Sequence, residues 1–118
     1  MKEKMSYIET ENKKYPLLFN INVMEEIQEQ YGSMAEWGAI VENANGKEPK
    51  IKDLKYGLMA MINEGIDIEN EGKMSKEPFL TSKQVGRLLS EVGFKEITNK
   101  IKELTVNSTS TGEAPKNE

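Results

Sequence analysis

Residues 13–37 read KKYPLLFNINVMEEIQEQYGSMAEW, and two kinds of local order meet inside them. Tyr15 to Phe19 is a short apolar run built around a proline, and Met5 to Thr10 is a second run separated from it by the polar link Glu11-Asn12-Lys13-Lys14. Two such runs joined by a short polar link predict a β-hairpin. Pro16 has no backbone donor and belongs at a strand start or on an edge, so the hairpin is a small ribbon resting on helices. Such a pair is not stable alone. Past Phe19 the period changes. Asn20 or Asn22 can cap a helix that places Val23, Met24, Ile27 and Tyr31 on one side, and Gly32 follows where a helix end favours a left-handed residue. Ser33-Met34-Ala35-Glu36 has the form of a capping box, and Met34, Trp37 and Val41 share the next helical face until Asn45-Gly46 ends it.

The same grammar continues to the C-terminal side. Pro49 stands before a third helix in which Ile51, Leu54, Leu58, Met61 and Ile62 recur at helical spacing, with Gly65 as its stop. Gly57 inside that helix costs about 1 kcal/mol relative to alanine and marks a close helix contact. A long polar connection is expected from Ile66 to Leu80. Thr81-Ser82-Lys83-Gln84 then forms a second capping box, followed by Val85, Leu88, Leu89 and Val92 at i, i+3, i+4, i+7. After Gly93 the pattern returns in Phe94, Ile97, Ile101 and Leu104. The short link makes these two helices neighbours, a hairpin whose seam closes the core. From Asn107 the sequence NSTSTGEAPKNE turns small and polar, the composition of a disordered end. The expected fold is mainly α with a minor β part: an N-terminal β-hairpin on about five short amphipathic helices, one domain over 1–106 and a tail over 107–118.

Composition limits what such a domain does. The 118 residues contain no cysteine and no histidine, which removes disulfides, thiolate chemistry, and the commonest general base and metal ligand. Sixteen Lys and Arg against 20 Asp and Glu leave a net charge of −4, no reason to approach a phosphate backbone or an anionic membrane. The first residues are too polar for a signal peptide and no apolar run spans a bilayer, so a cytosolic protein is expected. The Asn107-Ser108-Thr109 sequon reads as an accident of a polar tail.

Asp67-Ile68-Glu69-Asn70-Glu71-Gly72 imitates the start of a calcium loop, but the twelfth position is Pro78 where a bidentate glutamate is needed. The helix pair 82–104 has the outline of a helix-turn-helix, the basis of an alternative reading as a small DNA-binding regulator. Its second helix carries Lys95, Lys100 and Lys102 beside Glu96 and Glu103, and the one arginine, Arg87, lies in the other helix. The carboxylates at Glu25, Glu26, Glu29 and Glu36 are spaced as solvated faces, and no nucleophile with a base is visible, so neither catalysis nor a cofactor is expected. Methionine, by contrast, is abundant, with seven residues. Met24, Met34 and Met61 share faces with other apolar residues and suit a core, whereas Met59 and Met74 break the stripe or lie in the connection and suit an exposed contact. Trp37 reads as a core anchor able to reach a groove edge. The residues expected to bear on a partner are Met59, Met74, Trp37, Met34 and Met61.

The order of these segments, YPLLFNINVMEEIQEQYGS, then LKYGLMAMINEG, then PFLTSKQVGRLLSEVGFKEITNKI, resembles the small tail assembly chaperones of long-tailed bacteriophages of low-GC Gram-positive hosts. The resemblance spans about Tyr7 to Leu104. It implies a non-enzymatic protein of the host bacterial cytoplasm that keeps the hydrophobic tape measure protein soluble and helps tail tube protein subunits assemble around it, with self-association possible. It further implies absence from the finished virion; a structural component retained in the tail is the competing fate. A longer product made by frameshifting would attach after Asn107. The resemblance supplies no single-residue binding motif.

Overall fold

A computed structural model describes residues 5–42 and 50–113. The elements are strands β1 (Ser6–Glu9) and β2 (Lys14–Leu17) and helices α1 (Ile21–Tyr31), α2 (Met34–Val41), α3 (Ile51–Asn70), α4 (Ser82–Val92) and α5 (Phe94–Glu113). The mainly helical architecture with an N-terminal hairpin is the one expected. Pro49 and Asn45-Gly46, read as helix boundaries, lie outside the described residues.

β1 and β2 pair antiparallel with Tyr7 opposite Pro16 and Ile8 opposite Tyr15. Thr10 closes the turn: its N–H donates to the Lys13 carbonyl at 2.8 Å and its hydroxyl accepts from the Lys13 N–H at 3.1 Å. The second strand ends earlier than Phe19 because its backbone turns from sheet to helix. The Leu18 N–H donates to the Met61 carbonyl of α3 at 3.2 Å. Ile8, Leu17, Leu18 and Phe19 are all buried there.

Caps form at all three positions, although at Ser33 only the serine half of the expected capping box is made. Asn20, not Asn22, caps α1, its Oδ1 accepting from the Val23 N–H at 3.2 Å. Ser33 Oγ accepts from the Glu36 N–H at 3.0 Å. The Thr81–Gln84 box closes in both directions, at 3.2 and 2.8 Å. Gly32 and Gly93, with φ of 95° and 101°, end α1 and α4 in the region that favours glycine.

α3 is the central element, touching β2, α1, α2 and α4. Leu54, Leu58, Ala60, Met61, Ile62 and Ile66 are buried around most of its circumference. Two glycines admit its neighbours. At Gly57 the Trp37 indole lies directly on the helix backbone, the close contact expected there. Gly65 is not the helix stop: it sits inside α3 facing Pro16, whose Cβ would be 2.9 Å from any Cβ at 65. The helix continues because Ile66 supplies another buried apolar residue and because Asn70, at its end, finds hydrogen-bond partners on the segment that leads to α4. That connection therefore begins at Glu71, not Ile66. Asp67 to Asn70 are helical, so the calcium-loop geometry does not exist.

α4 and α5 form the expected hairpin, with Val85, Leu88, Leu89, Ile97, Ile101 and Leu104 buried. α5 runs past the expected boundary at 106, and 107–113 continue the helix where composition predicts an unstructured tail. Once a helix is nucleated, each further residue adds a hydrogen bond for little extra ordering cost. Threonine is accommodated by back-bonding, as when Thr105 Oγ1 donates to the Ile101 carbonyl at 3.0 Å.

Candidate partner-docking site

The segment 71–81 between α3 and α4 has no regular structure of its own, yet its backbone is held at two points. Asn63 Nδ2 donates to the Leu80 carbonyl at 3.2 Å while Asn63 Oδ1 accepts from the Leu80 N–H at 2.8 Å. Asn70 makes the same exchange with Glu77, both bonds at 2.9 Å. A helix spends its own backbone groups internally, so it cannot pair with a neighbouring chain as a strand does. A carboxamide carries one donor side and one acceptor side, and each asparagine here takes the place of a missing strand residue.

The spacings match. Seven residues of helix rise about 10.5 Å, and three residues of extended chain cover about 10 Å. Asn63 and Asn70 thus lie two turns apart on one face of α3, and Leu80 and Glu77 meet them in antiparallel order. Asn70 is the one buried polar residue among those described, and no buried side-chain nitrogen or oxygen among them lacks a partner. Lys76 Nζ donates to the Asn70 carbonyl at 2.9 Å, capping the helix end with positive charge. Leu80 packs against the core just before the Thr81 cap, the staple position.

A strap held this way cannot fold its remaining side chains inward. Phe79 is 54% exposed and Met74 fully so, two of the five large apolar side chains left in solvent among the described residues. Between the strap and the last turns of α3 lies an open groove of about 360 Å³, walled by Asp67, Glu71, Glu77, Pro78 and Phe79. On the other side a smaller cleft of about 200 Å³ separates the strap from the ribbon. Lys13 crosses it to Glu77 at 3.4 Å, a solvated pair of little energetic weight. Tyr7 at its rim donates to Glu69 Oε2 at 2.6 Å, and that bond to a carboxylate, with a smaller contribution from burial, raises the phenol pKa.

The residues expected to meet a partner do not form one surface. Met74 is exposed on the strap, but Met59 and Met34 are half-buried against the core. Met61 and Trp37 are inside it, at 0% and 2% exposure, and present no contact surface in this fold. Met61 belongs to the apolar stripe of α3. Trp37 is fixed by its indole N–H, which donates to the Asp53 carbonyl at 2.9 Å. Periodicity and motif do not single out Phe79 and Pro78 as site residues. Their signal is an aromatic stranded in a polar connection just outside a helix cap, with two asparagines seven apart on the preceding helix.

α5 carries Lys95, Lys100 and Lys102 interspersed with Glu96 and Glu103, so charge of both signs is spread along it. Among the described residues no group of three histidine, cysteine or acidic side chains is placed to hold a metal ion, and no helix is long and apolar enough to cross a membrane. No protein-family model, curated protein or solved structure matches the chain.

Proposed function

We propose that this chain is a phage tail assembly chaperone that binds apolar helical segments of a tape measure protein in the host cytoplasm. It holds them soluble while tail tube subunits assemble, and it leaves before the particle is complete. The observation that carries the reading is the strap: an exposed phenylalanine and methionine on a backbone fixed by four side-chain hydrogen bonds, beside an open groove. A backbone held at Glu77 and Leu80 lowers the ordering cost of binding at Phe79 between them, because less backbone freedom is left to lose. The order of segments that resembles this chaperone class supports the same reading. So does the acidic balance of the surface, net −4, which keeps a carrier of apolar cargo soluble.

Co-expression tests it. A tape measure protein that pellets when made alone should move to the soluble fraction when this chain is made with it, and the two should co-purify. A cargo that pellets equally with and without the chain would end the proposal.

A further inference from the structure

The groove beside the strap has a chemistry of its own, and the occupant assigned to it rests on the reading of the strap as a docking surface. One wall is apolar, formed by Phe79 and Pro78, and the opposite wall carries Asp67 in the last turn of α3 and Glu71 at its end. Neither of these carboxylates has a hydrogen bond or ion pair among the described residues. Glu77 contributes a third carboxylate, engaged only by the solvated Lys13 contact. Lys76, the cation on the groove wall, is turned to the Asn70 carbonyl.

This arrangement works against folding. Asp67 in the last turn of α3 and Glu71 at its C-cap are like charges four residues apart at one helix end. They also stand at the negative end of the α3 dipole, where Lys76 on the Asn70 carbonyl supplies positive charge although the last turn itself holds no basic residue. A second cation, brought from outside, would offset the two carboxylates that have no ion pair among the described residues, and the exposed face of Phe79 adds a surface over which a cationic group is attracted.

We propose that the groove receives an arginine side chain from a partner segment whose adjacent apolar residues rest on Phe79 and Met74. The guanidinium suits the site better than an ammonium, because its planar fork can pair with a carboxylate while its face lies on an aromatic ring. The occupant is therefore a basic, amphipathic protein segment. The other acidic surface, α1 and α2, bears Glu25, Glu26, Glu29, Glu36 and Glu42 with no lysine or arginine from Ile21 to Glu42. It offers no exposed aromatic ring, since Trp37 is buried and Tyr31 half-buried.

The test is a titration of the full chain with a short labelled amphipathic peptide whose leucines and arginines recur at helical spacing, against the same peptide with citrulline for arginine. Saturable binding, with amide shifts clustered at 67–71 and 77–80, is expected for the arginine peptide. Asp67→Asn/Glu71→Gln or Phe79→Ala should each weaken it roughly tenfold, and Glu25→Gln/Glu29→Gln should leave it unchanged. All these positions except Phe79 carry exposed carboxylates, so the variants keep the fold; the Asp67→Asn/Glu71→Gln protein should melt slightly above the parent because a repulsion is gone. Equal binding of the citrulline peptide, or shifts centred on α1, would overturn the assignment. If Asp67→Asn/Glu71→Gln still solubilises the tape measure protein fully, this groove assignment fails while the chaperone reading stands.

Discussion

A methyl group at position 57 has no space to occupy. The added Cβ would overlap Trp37 Cζ2 and lie 2.7 Å from Cε2 and 2.8 Å from Cη2. The ring cannot withdraw easily, because it is 2% exposed and its N–H is bonded to the Asp53 carbonyl at 2.9 Å. Overpacking of a tight core costs about 1–3 kcal/mol, and a weakened indole hydrogen bond adds about 1 kcal/mol. Alanine returns about 1 kcal/mol through helix propensity, leaving Gly57→Ala destabilised by about 1–3 kcal/mol. With an unfolding entropy near 2 cal/mol/K per residue, that lowers the Tm of a 118-residue chain by about 4–12 °C. Gly38→Ala is the control: it also lies mid-helix, but an added Cβ meets nothing within 4 Å. That change should raise Tm by about 2–4 °C, since propensity acts unopposed. Thermal melts by circular dichroism read both. A Gly57→Ala protein as stable as its parent would refute the claim that α2 is seated on α3 through this contact.

The caps, the strap and a half-buried phenol set three further outcomes. Thr81→Ala removes the side-chain half of the α4 capping box, the hydroxyl that accepts from the Gln84 N–H, while the Thr81 N–H keeps its bond to Gln84 Oε1; it should cost about 1 kcal/mol in urea unfolding, with Thr81→Ser largely neutral. Asn70→Ala leaves the Glu77 N–H and carbonyl without their partners, so the Glu77 amide should exchange with deuterium at least tenfold faster while amides of the α1 interior are unchanged. The Tyr31 phenol has its pKa raised, first by burial and then by its hydrogen bond to Asp53 Oδ1 at 2.6 Å. An acid whose folded pKa lies above its unfolded value of about 10 favours the fold while protonated, and that contribution fades as pH rises past about 10. Urea midpoints should therefore fall above pH 10 in the parent and fall less in Tyr31→Phe.

Much of this fold is legible in the chain because its signals are local. A cap at Asn20, Ser33 or Thr81 is decided within three residues, and a left-handed glycine at 32 or 93 within one turn. Gly65 is not legible in that way. The same residue type serves a helix stop and a close backbone approach, and the choice between them is made by Pro16, which is distant in sequence. Asn63 and Asn70 mislead for a related reason: asparagine inside a helix reads as a weak helix former, and its value lies in partners on another segment. Methionine exposure is likewise a tertiary property. Met61 on the stripe and Met74 off it separate as periodicity suggests, but nothing local distinguishes half-buried Met34 and Met59 from a true contact surface.

Whether the strap is the surface that holds cargo is read most directly by the double variant Met74→Ser/Phe79→Ser, co-expressed with a tape measure protein. Both side chains are exposed and outside the core, so the melting temperature should stay within a few degrees of the parent. Cargo recovered in the soluble fraction should fall to the level seen without this chain. Undiminished solubility, from a variant that melts normally, would place the cargo elsewhere on the molecule and contradict the account.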